Sequence, residues 1–331
     1  MTTPWGLCTI ARTDGQRLAC LTIDGDVWPL HALALHSGIP GFPPALTVLE
    51  ILEHWDSQQS ALDNLAIVAG TGAVAAEALA ELDVRAPVER PGQIFCTGAN
   101  YRKHVIDLTV DTGVGPEGLD RDGLYKWAAE MMDKRAAEGE PYAFTKPISA
   151  VAGPNDALVL PTNTAQPDWE IELGVVIGRE AYCVSADDAM DHVAGYAIVN
   201  DISARDLIAR TDYKMLGTDW LRSKGQPGFL PFGPVIVPAR FVRDPQNLPL
   251  RLTVNGRVMQ DETTADMIFG IARQIEYISS FARLLPGDVI CTGSPAGNGT
   301  HYGRFLQPGD VMTAEIAGLG MQRVECVAPN A

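Results

Sequence analysis

The stretch DWEIELGVVIG, residues 168–178, decides the fold that we expect for this chain. Apolar side chains recur at every second position from Ile171 to Ile177, which predicts a strand with one apolar face. Glu170 and Glu172 fall together on the opposite face. At a rise of about 3.3 Å per residue their Cα atoms lie roughly 6.6 Å apart, so both carboxylates can reach one small object.

Two interpretations of this Glu-x-Glu pair stay open from the stretch alone. Exposed acids are common, so the pair can belong to a solvated edge strand. Alternatively, carboxylates held beside an apolar strand repel each other and are costly to desolvate, and a hard divalent cation would compensate them. The remainder of the chain has to decide between a surface strand and a metal site.

Composition sets the broad class of the protein. The 331 residues are 46% hydrophobic, enough for a substantial core, and the formal charge of -16 argues against nucleic-acid and anionic-membrane partners. The six cysteines show no spacing typical of zinc or a redox couple. We see no secretory signal and no apolar run long enough to span a membrane, and therefore expect a cytoplasmic protein.

The N-terminal part predicts a small β/α domain over residues 1–85. Asp-Gly turns at 14–15 and 24–25 separate three short apolar runs, which is typical of a β meander. Helical spacing follows over 46–68, and an alanine-rich run over 73–80 predicts another short helix. Residues 82–91 are predicted to connect this domain to a larger one over 90–331, with no catalytic constellation before the connector.

The larger domain opens with a candidate general base. A strand is predicted to end at Gly98, and on the helix that follows His104 and Asp107 are neighbours at i, i+3. The carboxylate could orient the imidazole and stabilise its charged form, although such pairs are also common on protein surfaces. Its position after a strand end favours the functional interpretation.

Residues 109–141 form a segment inserted after that helix. Glycines at its start precede an apolar stripe of Leu124, Trp127, Ala128 and Met131, which predicts a helix. This helix can be a lid that excludes water, a dimer contact or a packed surface helix. Lys146 follows it in the sequence FTKP, a cation between apolar neighbours.

A third carboxylate completes a possible metal site. Residues 185–193 predict a capped helix, and the apolar strand 195–201 then ends on Asp201. Together with Glu170 and Glu172, Asp201 gives an all-oxygen set that suits Mg²⁺ or Mn²⁺ and not zinc. Residues 292–299 add a hydroxyl and bare backbone amides that would suit a substrate carboxylate.

Five motifs in one order give the chain a specific resemblance. They are GANYRKH (98–104), FTKP (144–147), DWEIEL (168–173), VNDISARD (199–206) and TGSPAG (292–297). From residue 93 to the C-terminus the chain resembles the fumarylacetoacetate hydrolases. The resemblance implies an α+β, mostly β fold, with a mixed β-roll catalytic domain after the small N-terminal domain, and a homodimer.

The resemblance also implies roles for individual residues. It implies an Mg²⁺ or Mn²⁺ ion held by Glu170, Glu172 and Asp201. The resemblance further implies that Lys146, Arg205 and Lys224 bind anions. It also implies that His104 and Asp107 form a water-activating pair. We accordingly expect Lys146 beside that pair among the catalytic residues. The substrate-binding residues that we expect are Arg205, Lys224, Ser294 and Tyr101.

These roles predict a metal-dependent hydrolase that cleaves the C–C bond of a 1,3-diketo acid. An acylpyruvate, a small anionic oxo acid, would release pyruvate or a similar 2-oxo acid. Two alternatives remain: a decarboxylase, isomerase or hydratase that uses the same enolate chemistry at the metal, and a non-catalytic dimer with a structural metal. Ile208 stands where the family often has Gln, and Asp107 where it commonly has Glu. These departures suggest a larger or less polar distal group.

Overall fold

The computed structural model describes residues 3–329. Its strands are β1 (Gly6–Ala11), β2 (Arg17–Ile23), β3 (Asp26–Pro29), β4 (Glu77–Ala78), β5 (Asp83–Arg85), β6 (Ile94–Gly98), β7 (Tyr142–Thr145), β8 (Val151–Ala152), β9 (Leu158–Val159), β10 (Pro167–Asp168), β11 (Ile171–Ile177), β12 (Val193–Asn200), β13 (Ser203–Ala204), β14 (Leu230–Pro231), β15 (Val237–Pro238), β16 (Pro249–Val254), β17 (Arg257–Thr263), β18 (Val289–Cys291), β19 (Val311–Ile316) and β20 (Gly320–Val327). Its α-helices are α1 (Leu30–Ser37), α2 (Val48–Glu53), α3 (Trp55–Gly70), α4 (Arg102–Thr112), α5 (Arg121–Glu138), α6 (Trp220–Lys224), α7 (Ile271–Phe281) and α8 (Gly299–Tyr302).

The N-terminal sheet has the order β4-β3-β2-β1-β5 and contains the predicted meander. The helix predicted over 73–80 is wrong, because this segment forms β4 at the sheet edge and a short 3₁₀ turn at Leu79–Glu81. Pairing with β3 overrides the high intrinsic helix propensity of an alanine-rich run. The predicted connector contributes β5, which pairs with β1. The predicted division at residues 85–90 stays a prediction.

The central sheet, β15-β12-β11-β18-β6-β7, carries the decisive stretch in its middle. Strand β11 pairs antiparallel with β12 on one side and with β18 on the other. All seven residues of β11 are buried, so both of its faces are covered. The interpretation as a solvated edge strand is therefore wrong, because alternation of polar and apolar residues in this strand marks a buried polar site and not solvent.

A second sheet, β17-β16-β19-β20-β9, packs beside the central one. Its β16–β17 hairpin turns at Asn255 and Gly256, both with positive φ, as the Asn-Gly pair predicts. The capped helix predicted over 185–193 is wrong. Ser185 and Asp188 hydrogen-bond to each other in a local turn, and only the 3₁₀ turn Ala189–His192 precedes β12.

The inserted segment folds back on α4 as a helical hairpin. Helix α5 packs Leu124, Ala128 and Met132 against Ile106 and Val110 of α4. The packing fixes the position of α4, which carries His104. Roles of the segment as a lid or as a dimer contact both stay predictions. No helix within residues 3–329 has the length and apolarity needed to cross a bilayer.

Candidate active site

Strand pairing brings three acidic residues together. Ile171 lies opposite Asn200 in the β11–β12 ladder, so Glu170 at the start of one strand adjoins Asp201 at the end of the other. The Asp201 backbone N–H donates to the Glu170 carbonyl over 2.9 Å. Carboxylate oxygens of Glu170, Glu172 and Asp201 all lie within 4.8 Å of one another, and the three residues are buried.

Two buried lysines and a partly buried arginine surround this carboxylate cluster. The Lys224 Nζ donates to Glu170 Oε2 over 2.5 Å and also to Asp201. Arg205 donates from Nε to Asp168 Oδ2 over 2.7 Å and from Nη2 to Glu170. Lys146 donates to Asp201. The arrangement locks the carboxylates at fixed positions, and Arg205 and Lys224 also face the cavity.

Lys146 was predicted to be catalytic, and the geometry instead makes it a positioning residue. Besides Asp201, its ammonium donates to the backbone carbonyls of Phe229 over 2.6 Å and Ile202 over 3.3 Å. All three of its N–H groups are therefore engaged. Its side chain is fully buried and does not belong to the cavity wall.

Replacing Lys146 by methionine is expected to lower the free energy of unfolding by about 3 to 5 kcal/mol, because Asp201 would keep a buried charge without this partner. Urea denaturation of the metal-free protein measures the loss. Lys134→Met is the matched control, since Lys134 pairs with Glu138 at 3.9 Å on the exposed surface of α5 and should change little. Equal losses in both variants would contradict the positioning role.

Glu172 is the carboxylate that needs further compensation. Its Oε2 accepts from the Gly293 backbone N–H over 2.7 Å, and among residues 3–329 no cationic side chain lies within ion-pair distance. Burial, followed by the charges of Asp201 and Glu170, raises its pKa well above the usual range. Glu170, Glu172 and Asp201 together offer three oxygen ligands, and in the described part of the chain the Glu172 carboxylate has no cationic side chain to neutralise it. Mg²⁺ and Mn²⁺ prefer such oxygen ligands, so the residues present fit such an ion.

His104 lies on α4 with its side chain buried in the wall of the same cavity. Burial, and then the positive charges of Arg205 and Lys224, lower the pKa of its imidazole to about 4, against the opposing charges of Glu170 and Asp107. The imidazole is therefore neutral near pH 7 and able to accept a proton.

Asp107 does not orient His104 in the way predicted. Its carboxylate pairs with Lys103 over 3.1 Å, and Lys103 also pairs with Glu262. Within the described part of the chain, no hydrogen bond joins Asp107 to the His104 ring. The i, i+3 spacing places the two residues near each other on the helix, but an oppositely charged lysine at i-4 competes for the carboxylate.

The remaining predicted substrate ligands divide into two groups. Ser294 lines the cavity, and its hydroxyl accepts from Gln260 Nε2 over 3.0 Å. Tyr101 does not line the cavity. It is fully buried at the start of α4, where burial and the charge of Glu172 raise its hydroxyl pKa. The structure thus places it near Glu172 and outside the cavity wall.

Two loop amides expected to hold a substrate carboxylate have other partners. The Gly293 amide binds Glu172, and the Gly299 amide donates to Asp168 over 2.5 Å. Asp168 and Gln260 are the supporting residues that sequence reasoning left without a role. Asp168 stands next to the Glu-x-Glu pair in the sequence, a signal that was available. Gln260 lies 89 residues beyond Ile171, and its side chain accepts from the Ile171 amide over 3.1 Å.

Comparison with known proteins agrees with this architecture. The family model described as fumarylacetoacetate (FAA) hydrolase C-terminal matches residues 93–327. The chain belongs to the fumarylacetoacetate hydrolase family. The predicted α+β, mostly β fold is confirmed. A solved structure of maleylpyruvate hydrolase from Sphingobium sp. SYK-6, in complex with manganese(II) and pyruvate, is 25% identical with a TM-score of 0.71, covering 98% of this chain and 100% of that one.

Relatives within the fumarylacetoacetate hydrolase family carry names of more than one reaction. The chain is 39% identical to a 2,4-didehydro-3-deoxy-L-rhamnonate hydrolase of Sphingomonas sp. (strain SKA58), over 78% of this chain and 82% of the relative. It is 33% identical to the mitochondrial oxaloacetate tautomerase FAHD2A of Bos taurus, over 93% and 97%. Relatives in the family are thus enzymes named as hydrolases and tautomerases.

Proposed function

We propose that the protein is a metal-dependent hydrolase of 2,4-dioxo acids of the acylpyruvate type, which it cleaves to pyruvate and a carboxylic acid. The observation that carries the proposal is the placement of two unlike groups in one cavity. Glu170, Glu172 and Asp201 form a cluster with one uncompensated carboxylate, and the neutral imidazole of His104 lines the same cavity. Hydrolysis of a C–C bond needs both an electrophilic centre and a base.

Glu170, Glu172 and Asp201 would hold the divalent cation. When bound, this ion supplies Lewis-acid polarisation of a keto oxygen and compensates developing negative charge. The protein's own cations supply the complementary attraction. Arg205 and Lys224 face the cavity and hold the substrate carboxylate, with the Ser294 hydroxyl as a further polar contact.

His104 moves the proton in this mechanism. The imidazole accepts a proton from water, whose oxygen forms a bond to the distal keto carbon, C4 of the substrate. The C3–C4 bond breaks, its electron pair stays on C3, and C3 takes up one proton. One water is consumed, and the products are pyruvate and the acid derived from the acyl group. Neighbouring positive charges favour return of the proton from His104, since they disfavour the imidazolium.

Acetylpyruvate tests the proposal directly. We expect pyruvate release in the presence of Mg²⁺ or Mn²⁺, loss of activity after exhaustive chelation, and recovery when the metal is returned. The rate of pyruvate release is measured with lactate dehydrogenase, which reduces pyruvate and oxidises NADH. Failure to release pyruvate from any acylpyruvate, or an undiminished rate after chelation, would overturn the proposed reaction.

Tautomerisation of a 2-oxo acid is the second candidate. The lack of a hydrogen bond between Asp107 and His104 among residues 3–329 favours it, because a proton shift between carbon and oxygen needs a base but no activated water. The relative named oxaloacetate tautomerase, which matches over most of the chain, also supports it. Decay of the enol absorbance of oxaloacetate, without release of pyruvate from acylpyruvates, would select this candidate over hydrolysis.

A further inference from the structure

We infer that the substrate carries a single carboxylate and that its distal acyl group is apolar. The inference rests on the proposed function and names the substrate class of the same cavity. Two independent observations support it. One is the balance of buried charge around the carboxylate cluster, and the other is the chemistry of the cavity wall beyond His104.

The buried charges leave room for one substrate anion. Four carboxylates and three cations meet at the cluster, which gives a net charge of -1: Asp168, Glu170, Glu172 and Asp201 against Lys146, Arg205 and Lys224. A divalent cation changes this sum to +1, and one carboxylate then returns it to zero. A second substrate carboxylate would leave an uncompensated buried negative charge, which is costly.

The described part of the cavity wall has no cation for a second carboxylate. Arg205 and Lys224 are its only basic residues apart from His104, and both already serve the carboxylate cluster and the first substrate carboxylate. The Arg135 guanidinium donates a hydrogen bond to the backbone carbonyl of Ala99, a residue of the cavity wall. However, its guanidinium lies over the Phe269 ring at 5.2 Å and does not line the cavity.

The wall beyond the base is mainly apolar, and the hydroxyl of its polar member on α4, Thr109, donates to the Val105 carbonyl over 2.7 Å. Val105 and Leu108 of α4 share the cavity with His104, and Leu108 lies one helical turn beyond it. Phe144, Ile208 and Trp220 are the other apolar members of this wall. A group attached to the carbonyl that His104 serves would therefore meet hydrocarbon and aromatic surfaces.

Two aromatic rings of this apolar wall are held by contacts with their neighbours. The rings of Phe144 and Trp220 stack with centroids 4.6 Å apart and an interplanar angle of 14°. The Trp220 Nε1–H donates to the Tyr142 hydroxyl over 2.7 Å, which fixes the indole. The cavity volume of about 300 Å³ matches a small molecule with a short acyl chain. The wall favours an alkyl or aryl tail over a tail that ends in a carboxylate.

A matched pair of substrates tests the inference: 2,4-dioxooctanoate ends in a methyl group, and 2,4-dioxooctanedioate has the same number of carbons and ends in a carboxylate. We expect kcat/KM for the monoacid to exceed kcat/KM for the diacid by at least about 100-fold. The monoacid should also exceed acetylpyruvate in kcat/KM by at least about tenfold. If acetylpyruvate is cleaved but the diacid equals or exceeds the monoacid, the inference is wrong and the proposed hydrolysis stands.

A charge placed in the apolar wall should change the preference. Ile208→Arg is expected to reduce the monoacid-to-diacid ratio at least tenfold, because the new guanidinium can pair with the distal carboxylate. Leu221→Arg is the matched control, since Leu221 is exposed, lies outside the cavity wall and should leave the ratio unchanged. Equal changes in both variants would contradict the assigned role of the wall.

A binding measurement separates this inference from the reaction itself. The ligands 2-oxooctanoate and 2-oxooctanedioate lack the second keto group and cannot be cleaved, so their dissociation constants can be measured calorimetrically with Mg²⁺ present. We expect the monoacid to bind at least tenfold more tightly. If no acylpyruvate releases pyruvate, the proposed function fails, and these two constants still decide the inference: equal or reversed affinities overturn it.

Discussion

Replacing Glu172 by glutamine is expected to lower kcat/KM by about three orders of magnitude, because a bound cation contributes several kcal/mol to stabilisation of the transition state. The change preserves the size of the side chain and removes the one carboxylate of the cluster that has no cationic partner among residues 3–329. Calorimetric titration with Mg²⁺ or Mn²⁺ should show a matching loss of affinity. Steady-state pyruvate release measures the activity.

The same variant should fold at least as stably as the wild type when metal is absent. Burial and neighbouring acids raise the pKa of Glu172, so its charged form is unfavourable in the metal-free protein and a neutral amide relieves that cost. Glu325→Gln on the exposed face of β20 is the control and should alter neither activity nor metal affinity. Retention of full metal affinity by Glu172→Gln would remove the proposed metal site.

Replacing His104 by glutamine is expected to lower kcat by about 10² to 10⁴-fold, the range typical of a general base. Metal affinity should stay unchanged, because His104 is not part of the carboxylate cluster. Asp107→Asn provides the comparison. Since Asp107 pairs with Lys103 and not with His104, we expect only a few-fold loss. A loss as large as that of His104→Gln would instead show that the two residues act as one catalytic pair.

The pH dependence of the rate is a second test of the role of His104. Burial and nearby positive charge disfavour the imidazolium, so the pKa of His104 falls to about 4. A base must be unprotonated, and activity should therefore be retained from neutral pH downward and lost as pH falls through about 4. The rate of pyruvate release between pH 3.5 and 8 measures this limb. A midpoint near 6.5, the ordinary value for histidine, that does not move when the Mg²⁺ concentration is raised would contradict the buried placement.

Much of the candidate site could be predicted from the sequence, because its residues lie at the ends of strands with clear patterns. Alternation along β11 put Glu170 and Glu172 on one face, and the abrupt polar end of β12 singled out Asp201. These are local signals. Helix α4 and the short helix that ends at Lys224 carried weaker patterns, yet their side chains complete the cavity.

Pairing between distant side chains could not be predicted in this way. Asp107 was assigned to His104 by spacing, but the sequence cannot rank that neighbour against Lys103, which competes for the same carboxylate. Lys146 was assigned to catalysis because it is a cation in a motif. Only its burial and its three acceptors show that it supports Asp201.

The sequence by itself determined the family and singled out the three acidic residues and the histidine that meet at the candidate site, because strand periodicity and motif order are properties of the chain. The tertiary structure alone decided which charges neutralise one another and which face of the cavity stays apolar. The reason is physical: electrostatic compensation and desolvation depend on distances and burial across residues far apart in the chain, and these are fixed only when the sheets pack.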